Sequence, residues 1–427
     1  MWGKKWGWFE SVAIVAGLGM VGVVLQLSVG AIPHNAFVSP VNIVGGSVLV
    51  AIIILCFTFL YKYNKKTPLA FFAGGKATLS SMAALLLVLV LMGFTKQIPV
   101  SMGIELTHPI HRIGLSHILS TWYFLILYLY LLFVLGFVII NRVIRIKANL
   151  RDIAFVMNHI GLFITLFFGM LASADLQRYR MHTDTESDYP EWRGIDNITG
   201  QVVDLPIAID LLSFDIDEYP PKLMIIDNNS GKPLPLQRAE SLSLEAVPTE
   251  GMIDGWQIKV KEYLPYSAAV ATPDSLVFRE FRSLGAVQSA KVDVRLNEDS
   301  VLSGWVATGS HIFPYRSLKL TDSVSLVMAD PEPKQYSSRV VLYAQNGDTD
   351  SATIKVNQPL RYKSWYIYQL NYNREQGRWS TMSEFELVKD NWLWGVYIGF
   401  AMLFVGAAML FMSPLPKPDN EKELKNE

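Results

Sequence analysis

Seven histidines and one cysteine, Cys56, hold most of the chemistry that this sequence offers. A single cysteine excludes a disulfide framework, a CxxC redox centre and a Cys-based structural zinc site. No G-x-S-x-G elbow, P-loop, HExxH helix or dinucleotide-binding glycine pattern is present, so hydrolytic and nucleotide chemistry have no visible seat. The Gly74-Gly75 pair reads as a flexible connector. The histidines are therefore the candidates. His159 is the sharpest, because it lies about a third of the way into an apolar run, where an imidazole is costly and usually faces protein, water or a ligand.

The neighbours of His159 at helical spacing, Phe155, Val156, Leu162 and Phe163, are all large and apolar. That face predicts no partner for the ring from its own helix. Gly161, Thr165, Gly169 and Ser173 recur every four residues and form a small-residue stripe on roughly the opposite side, suited to close helix packing. Two readings of His159 follow from the residues alone: a histidine hydrogen-bonded to a neighbouring helix, or a ligand to a metal or haem iron. A second group, His108, His111 and His117, precedes another apolar run. Three imidazoles suit zinc, but Pro109 breaks helical spacing and an exposed loop tolerates histidine freely. His117, nearest the membrane surface, is the best of the three as a haem-proximal residue. His34, His182 and His311 have no partner legible in the sequence and read as solvated surface.

The elements that must position these residues are set by composition. The chain has 427 residues, of which 51% are hydrophobic and 18% charged, against about 25% charged in soluble proteins. Disorder and low-complexity fibres are excluded, and much of the chain belongs in lipid. Runs long enough to cross a hydrocarbon core roughly 30 Å thick occur at Trp8–Gly30, Val41–Tyr61, Thr78–Phe94, Trp122–Val143, Asp152–Ser173 and Trp392–Met412. The first is too long, and too poorly followed by a small-residue cleavage pattern, to be a removable signal peptide. Trp122, Tyr123, Phe124, Tyr128 and Tyr130 crowd the fourth, as an interfacial belt with core packing or as the lining of a porphyrin face.

Charge sets the expected orientation. Thirteen Lys and Arg lie in segments assigned to one side of the membrane: Lys4, Lys5, Lys62, Lys65, Lys66, Lys76, Arg142, Arg145, Lys147, Arg151, Lys417, Lys422 and Lys425. Only Lys96 and Arg112 lie in the short segments between them, which predicts cytoplasmic termini and an outer location for Ala174–Asp390. That segment has 22 Lys and Arg against 31 Asp and Glu, a balance of −9, while the remainder carries +8. No part has the dense basic patch that phosphate contacts demand, which argues against nucleic-acid binding. Short runs such as Ala290–Leu296, Arg339–Tyr343, Thr353–Val356 and Ser364–Tyr372, punctuated by Asn-Gly and Pro-Pro, predict a β-rich outer domain. Pro220-Pro221 and Pro331–Pro333 are possible subdomain boundaries. The expected class is a polytopic α-helical membrane protein of about six spans with a large extracytoplasmic β-rich domain. Its parts are an N-terminal hairpin (1–63), a three-helix core (64–173), the outer domain (174–390), and a last span with its tail (391–427).

Several short motifs, in this order, give the chain a resemblance to a known family. They are Ser120-Thr-Trp122-Tyr-Phe leading into a span that ends in Asn141-Arg142, Asn158-His-Ile-Gly-Leu162, Phe214-Asp-Ile-Asp-Glu-Tyr219, Val260-Lys-Glu-Tyr-Leu-Pro265, Val356-Asn-Gln-Pro-Leu360 with Ile367-Tyr-Gln369, and Val388-Lys-Asp390. Over roughly Thr78 to Met412 the chain resembles the ResB-like (CcsB) family of cytochrome c biogenesis proteins. The resemblance implies a bacterial inner (cytoplasmic) membrane protein with its large domain on the periplasmic side. It also implies work with a CcsA/ResC-type membrane partner, transport or transient binding of haem b, and attachment of haem to the CXXCH motif of apocytochrome c. On that view the chain is half of a haem-attachment complex rather than an enzyme alone, and His159 is the membrane haem ligand. The tryptophan-rich haem-binding segment expected of the partner is absent here, and the first two spans are extra to the family pattern. Rival readings are a b-type cytochrome or quinone-reactive respiratory subunit, which needs paired histidines on facing spans, and a scaffold whose outer domain binds a protein.

Overall fold

The computed structural model describes residues 6–63, 69–100, 108–146, 149–245, 249–273, 276–296 and 301–413. Lys4, Lys5, Lys65, Lys66, Lys147, Lys417, Lys422 and Lys425, which enter the charge argument, lie outside the described residues. Contacts divide the chain into two units. The first comprises Met1–Arg178, Asn197–Gly200 and Lys389–Glu427, the second Tyr179–Asp196 and Gln201–Val388.

The first unit is helical: α1 (Trp8–Val29), α2 (Val41–Tyr63), the short α3 (Leu69–Phe72), α4 (Gly75–Phe94), the short α5 (Pro109–Ile113), α6 (Trp122–Ile144), α7 (Leu150–Asp175) and α8 (Leu393–Met412). Six of these are long and apolar enough to cross a membrane, as the sequence predicts. Their outer surfaces keep many large apolar side chains exposed, including Leu86, Leu87, Phe404 and Phe411. Such faces need lipid or protein against them.

Helix α6 is the hub: Leu132, Val134 and Phe137 are wholly buried, and α1, α2, α4 and α7 all pack on it. Close approach is bought with glycine. A Cβ added at Gly22 would lie 2.3 Å from the Tyr123 Cα, so α1 touches the backbone of α6 there. Helices α7 and α8 pair in the same way: a Cβ on Gly399 would sit 2.2 Å from the Thr165 hydroxyl, and one on Gly161 2.9 Å from the Gly399 carbonyl. The predicted stripe therefore holds at Gly161 and Thr165. It stops short of Gly169, where an added Cβ would meet nothing within 4 Å. Side chains fix both ends of α7. Asn149 caps it by accepting from the Asp152 N–H at 2.8 Å, and the Trp392 indole donates to Asp175 Oδ2 at 2.6 Å.

The second unit is β-rich. Its first strands are β1 (Gln177–Asp184), β2 (Glu191–Asp196) and β3 (Val202–Glu218). An inserted block follows: β4 (Lys222–Asp227), β5 (Leu242–Ser243), β6 (Thr249–Ile253), β7 (Trp256–Ala271), β8 (Leu276–Glu280), β9 (Val287–Leu296), β10 (Leu302–Ala307), β11 (Leu318–Lys319) and β12 (Val324–Met328). The chain then returns through β13 (Pro333–Ala344), β14 (Thr349–Lys355), β15 (Leu360–Tyr362), β16 (Trp365–Tyr372) and β17 (Met382–Lys389). The first and last groups form one eight-stranded sheet in the order β14-β13-β3-β2-β1-β17-β16-β15. The insert forms a five-stranded and a four-stranded sheet.

Each group has its own core. Met181, Ile209, Leu342, Ile367 and Phe385 pack together in the eight-stranded sheet, while Leu223, Ile258, Val292, Val306 and Leu326 pack within the insert. Pro220-Pro221 and Pro331–Pro333 flank the insert on either side. Proline supplies no N–H to a ladder, so a chain leaving one sheet for another tolerates it there. The Asn346-Gly347 turn between β13 and β14 places Gly347 at φ +87°, a conformation that only glycine takes without strain.

Candidate functional site

His159 is held by its own helix. Its Nδ1 lies 2.8 Å from the Phe155 carbonyl oxygen, one turn earlier. This corrects the expectation of no partner from that helix: the apolar side chain at i−4 offers nothing, but the backbone beneath it does. A carbonyl only accepts, so Nδ1 carries the proton, and in the neutral ring Nε2 keeps its lone pair. Among the described residues Nε2 has no hydrogen-bond partner. The ring stacks on Phe155, with centroids 3.8 Å apart and planes 23° from parallel. The Arg142 guanidinium in turn lies over the Phe155 ring, 5.0 Å from its centroid, and donates to Asp152 in an ion pair.

Two contacts fix the depth of His159. Helices α6 and α7 run antiparallel, joined near one end by the Tyr128 hydroxyl donating to the Leu166 carbonyl at 2.9 Å and near the other by Arg142 and Asp152. His159 falls midway between Asp152 and Leu166, roughly 10 Å along the helix from each. It is the one histidine within the six long helices, since the other six lie in loops, the short α5 or strands. An imidazole with Nδ1–H bonded to a backbone carbonyl and Nε2 free is the arrangement metal-ligating histidines use, because the Nδ1 bond fixes tautomer and ring orientation. The half-buried, aromatic-flanked position suits the flat apolar face of a porphyrin.

His117 is in a different state. It is buried, at 5% exposure, rather than solvated in a loop. Its Nε2 lies 3.4 Å from Gln26 Nε2, and its Nδ1 lies 3.2 Å from the Ser116 hydroxyl, which also lies 2.7 Å from His111 Nδ1. One assignment satisfies every contact: the Gln26 amide donates to His117 Nε2, His117 Nδ1–H donates to Ser116, and Ser116 donates to His111. In that assignment both ring nitrogens of His117 have a neighbour. Gln26 of α1 is the residue that closes over His117. Burial, and secondarily His111, hold the His117 pKa below its ordinary value of 6.5.

A pH dependence follows with a defined sign. Between the depressed folded value and 6.5, the unfolded chain binds a proton that the folded chain refuses, so stability falls as pH drops through that window. Thermal unfolding of the detergent-solubilised chain from pH 8 to pH 5 is expected to show a declining midpoint below about pH 6.5. His117→Gln is expected to flatten that part of the decline, and an identical slope in the variant contradicts the assignment.

The remaining histidines form no site. His34 and His311 are exposed, and His182 lies 3.9 Å from a Glu384 carboxylate oxygen, a partner the sequence did not reveal. Rings of His108 and His111 lie 5.7 Å apart, but no group of three or more His, Cys, Asp or Glu side chains able to hold an ion occurs among the described residues. Sequence reasoning also missed Gln26, 91 residues from His117. Nothing in a run of α1 apolar residues marks it except its polarity.

Residues 147–382 match the ResB-like family, which is more than half of the chain. The match begins at the foot of α7, includes His159, and ends at the start of β17. Among solved structures, one titled "Cytochrome c Heme Lyase CcmF" aligns over 87% of this chain and 46% of its own, at 8% identity and a TM-score of 0.20. This chain thus spans less than half the length of that one, and a likeness so weak carries no argument. A comparison with curated protein sequences gives no match.

Proposed function

Because the chain belongs to the ResB-like family, we propose that it is a membrane component of cytochrome c maturation that holds haem through His159 and presents it for attachment to apocytochrome c. The observation that carries this reading is the state of His159: Nδ1 committed to the Phe155 carbonyl, Nε2 free, midway along an apolar helix. Haem b is the cargo, and its iron takes the Nε2 lone pair. With one histidine in the six long helices, any further protein ligand to haem would come from another chain, which favours a CcsA/ResC-type partner over a b-type cytochrome built from this chain alone. The chain supplies half of a haem-attachment complex: it orients the ring and excludes water around it, while the partner completes the coordination.

The expected setting is a bacterial inner membrane with both termini cytoplasmic and the β-rich unit outside, where haem meets the CXXCH motif. The acidic balance of that unit suits a docking platform for a basic client or partner segment. Reporter fusions after Lys147 and after Asp227 test the orientation. The account expects cytoplasmic behaviour at the first and outer behaviour at the second, and a cytoplasmic signal after Asp227 overturns the function. Co-purification with and without the partner tests the haem: bound haem is expected with the partner present, and its absence from the assembled pair contradicts the reading.

A further inference from the structure

Strand β2 is short, and its shortness opens a seat in the sheet. It pairs with β3 only from Val202 to Ile209, whereas β13 follows the other side of β3 as far as Glu218. The stretch Asp210–Glu218 therefore has a strand on one side only among the described residues. At 3.3 Å per residue this is roughly 26 Å of open edge. A cleft of about 740 Å³ lies along it. The lining passes from this part of β3 to Thr185, just beyond β1, and to Trp379 and Ser380, just before β17. With the strands in the order β3-β2-β1-β17, the cleft occupies the place that a longer β2 would fill. Two motifs separated in sequence, 214–219 and 260–265, both contribute to its wall.

Four polar side chains at the wall of the cleft bond to one another. Arg378 Nη2 donates to Glu218 Oε2, and the guanidinium lies 5.1 Å from the Tyr266 ring centroid. Gln288 Nε2 donates to the same carboxylate oxygen at 2.9 Å, and the Tyr263 hydroxyl donates to Gln288 Oε1 at 3.2 Å. Arg378 balances Glu218, which leaves Asp215 and Asp217 as the uncompensated charges of the cleft. Both are exposed, and neither forms an ion pair among the described residues. Beside them stand apolar surfaces: Leu212 is 51% exposed and Tyr219 48%, with Pro220 and Pro265 adjoining.

We propose that this cleft binds an extended polypeptide segment that alternates basic and apolar residues, added as a strand along Asp210–Glu218. An open edge supplies backbone hydrogen bonds, and alternation sends the side chains to opposite faces, basic toward Asp215 and Asp217 and apolar toward the face of Phe214 and Ile216, which also line the cleft. The inference deepens the docking reading of the outer unit and names its surface. It does not depend on haem.

The test uses the full chain in neutral-lipid nanodiscs and a fluorescent nine-residue peptide alternating lysine with valine. Four comparisons accompany it: the same peptide with glutamate for lysine, the lysine peptide with N-methylated backbone, and the chain variants D215N/D217N and D322N/D350N. The last removes two carboxylates that do not line the cleft. Binding of the lysine peptide is expected to weaken about tenfold in D215N/D217N, as two exposed charge pairs allow, and to stay within about twofold in D322N/D350N. The glutamate and N-methylated peptides are expected not to bind measurably. Equal weakening in the two variants, equal binding of the N-methylated peptide, or no binding of the lysine peptide overturns the proposal. The probe contains neither haem nor cysteine, so its failure leaves the His159 reading standing, and retention of peptide binding in H159A separates the two in the other direction.

Discussion

His159→Ala is expected to reduce cytochrome c maturation about a hundredfold while the protein still inserts and folds. The magnitude follows from ligand chemistry: losing an outer-shell partner of a metal ligand costs roughly 10- to 100-fold, and losing the ligand itself belongs at the upper end. Folding is expected to survive because His159 is only half-buried and its one bond goes to its own helix. A surface-like cost of under about 1 kcal/mol follows. Added imidazole is expected to restore part of the activity, since the alanine leaves room beside Phe155 for a free ring. Maturation assayed in cells by covalent haem staining of the client, with protein level checked in the same membranes, measures this. Normal maturation in the alanine variant reduces His159 to a packing residue.

Arg378→Ala is the second large effect, and it acts on the β-rich unit. The Glu218 side chain is 10% exposed and that of Arg378 18%, so deleting the cation strands a carboxylate that water barely reaches. Breaking a buried pair from one side costs about 3 kcal/mol or more. The Gln288 amide still donates to Glu218, which keeps the loss at the lower end of that range. Removing both charges, as in Glu218→Gln with Arg378→Met, is expected to recover most of it, because no unpaired charge remains. Denaturant unfolding of the full chain followed by tryptophan fluorescence reads the comparison: Trp379 lies next to the pair, and its indole donates to the Ala286 carbonyl at 3.1 Å. Equal loss in the single and the double variant contradicts the ion-pair account.

The two predictions rest on features of unequal legibility. The six long helices could be read from the sequence because a span is set by the length of an apolar run, and their ends fell within a few residues of the expected ones. The Gly161 and Thr165 contact was legible as a four-residue repeat, but at Gly169 the repeat has turned away from α8, and Phe168 meets Gly395 there instead. Proline pairs at 220 and 331 suggested boundaries without deciding them, because proline permits a change of sheet and does not compel one. The partner of His159 escaped notice since it is a backbone atom, invisible to reasoning about side-chain types. The Gln26 and His117 contact, and the assembly of residues 214–219 with 260–265 around one cleft, depend on which helix and which strand lie side by side. A single sequence with no pairing information does not carry that order.

His159 ligation is the claim on which the functional account turns, and the absorption spectrum of haem bound to the chain with its membrane partner tests it most directly. The account predicts a bound haem with an imidazole-type spectrum in the natural protein. In His159→Ala the haem content is expected to fall and the spectrum to change, with both returning toward the natural form when imidazole is added. Full haem content and an unchanged spectrum in the alanine variant would place the iron elsewhere and contradict the account.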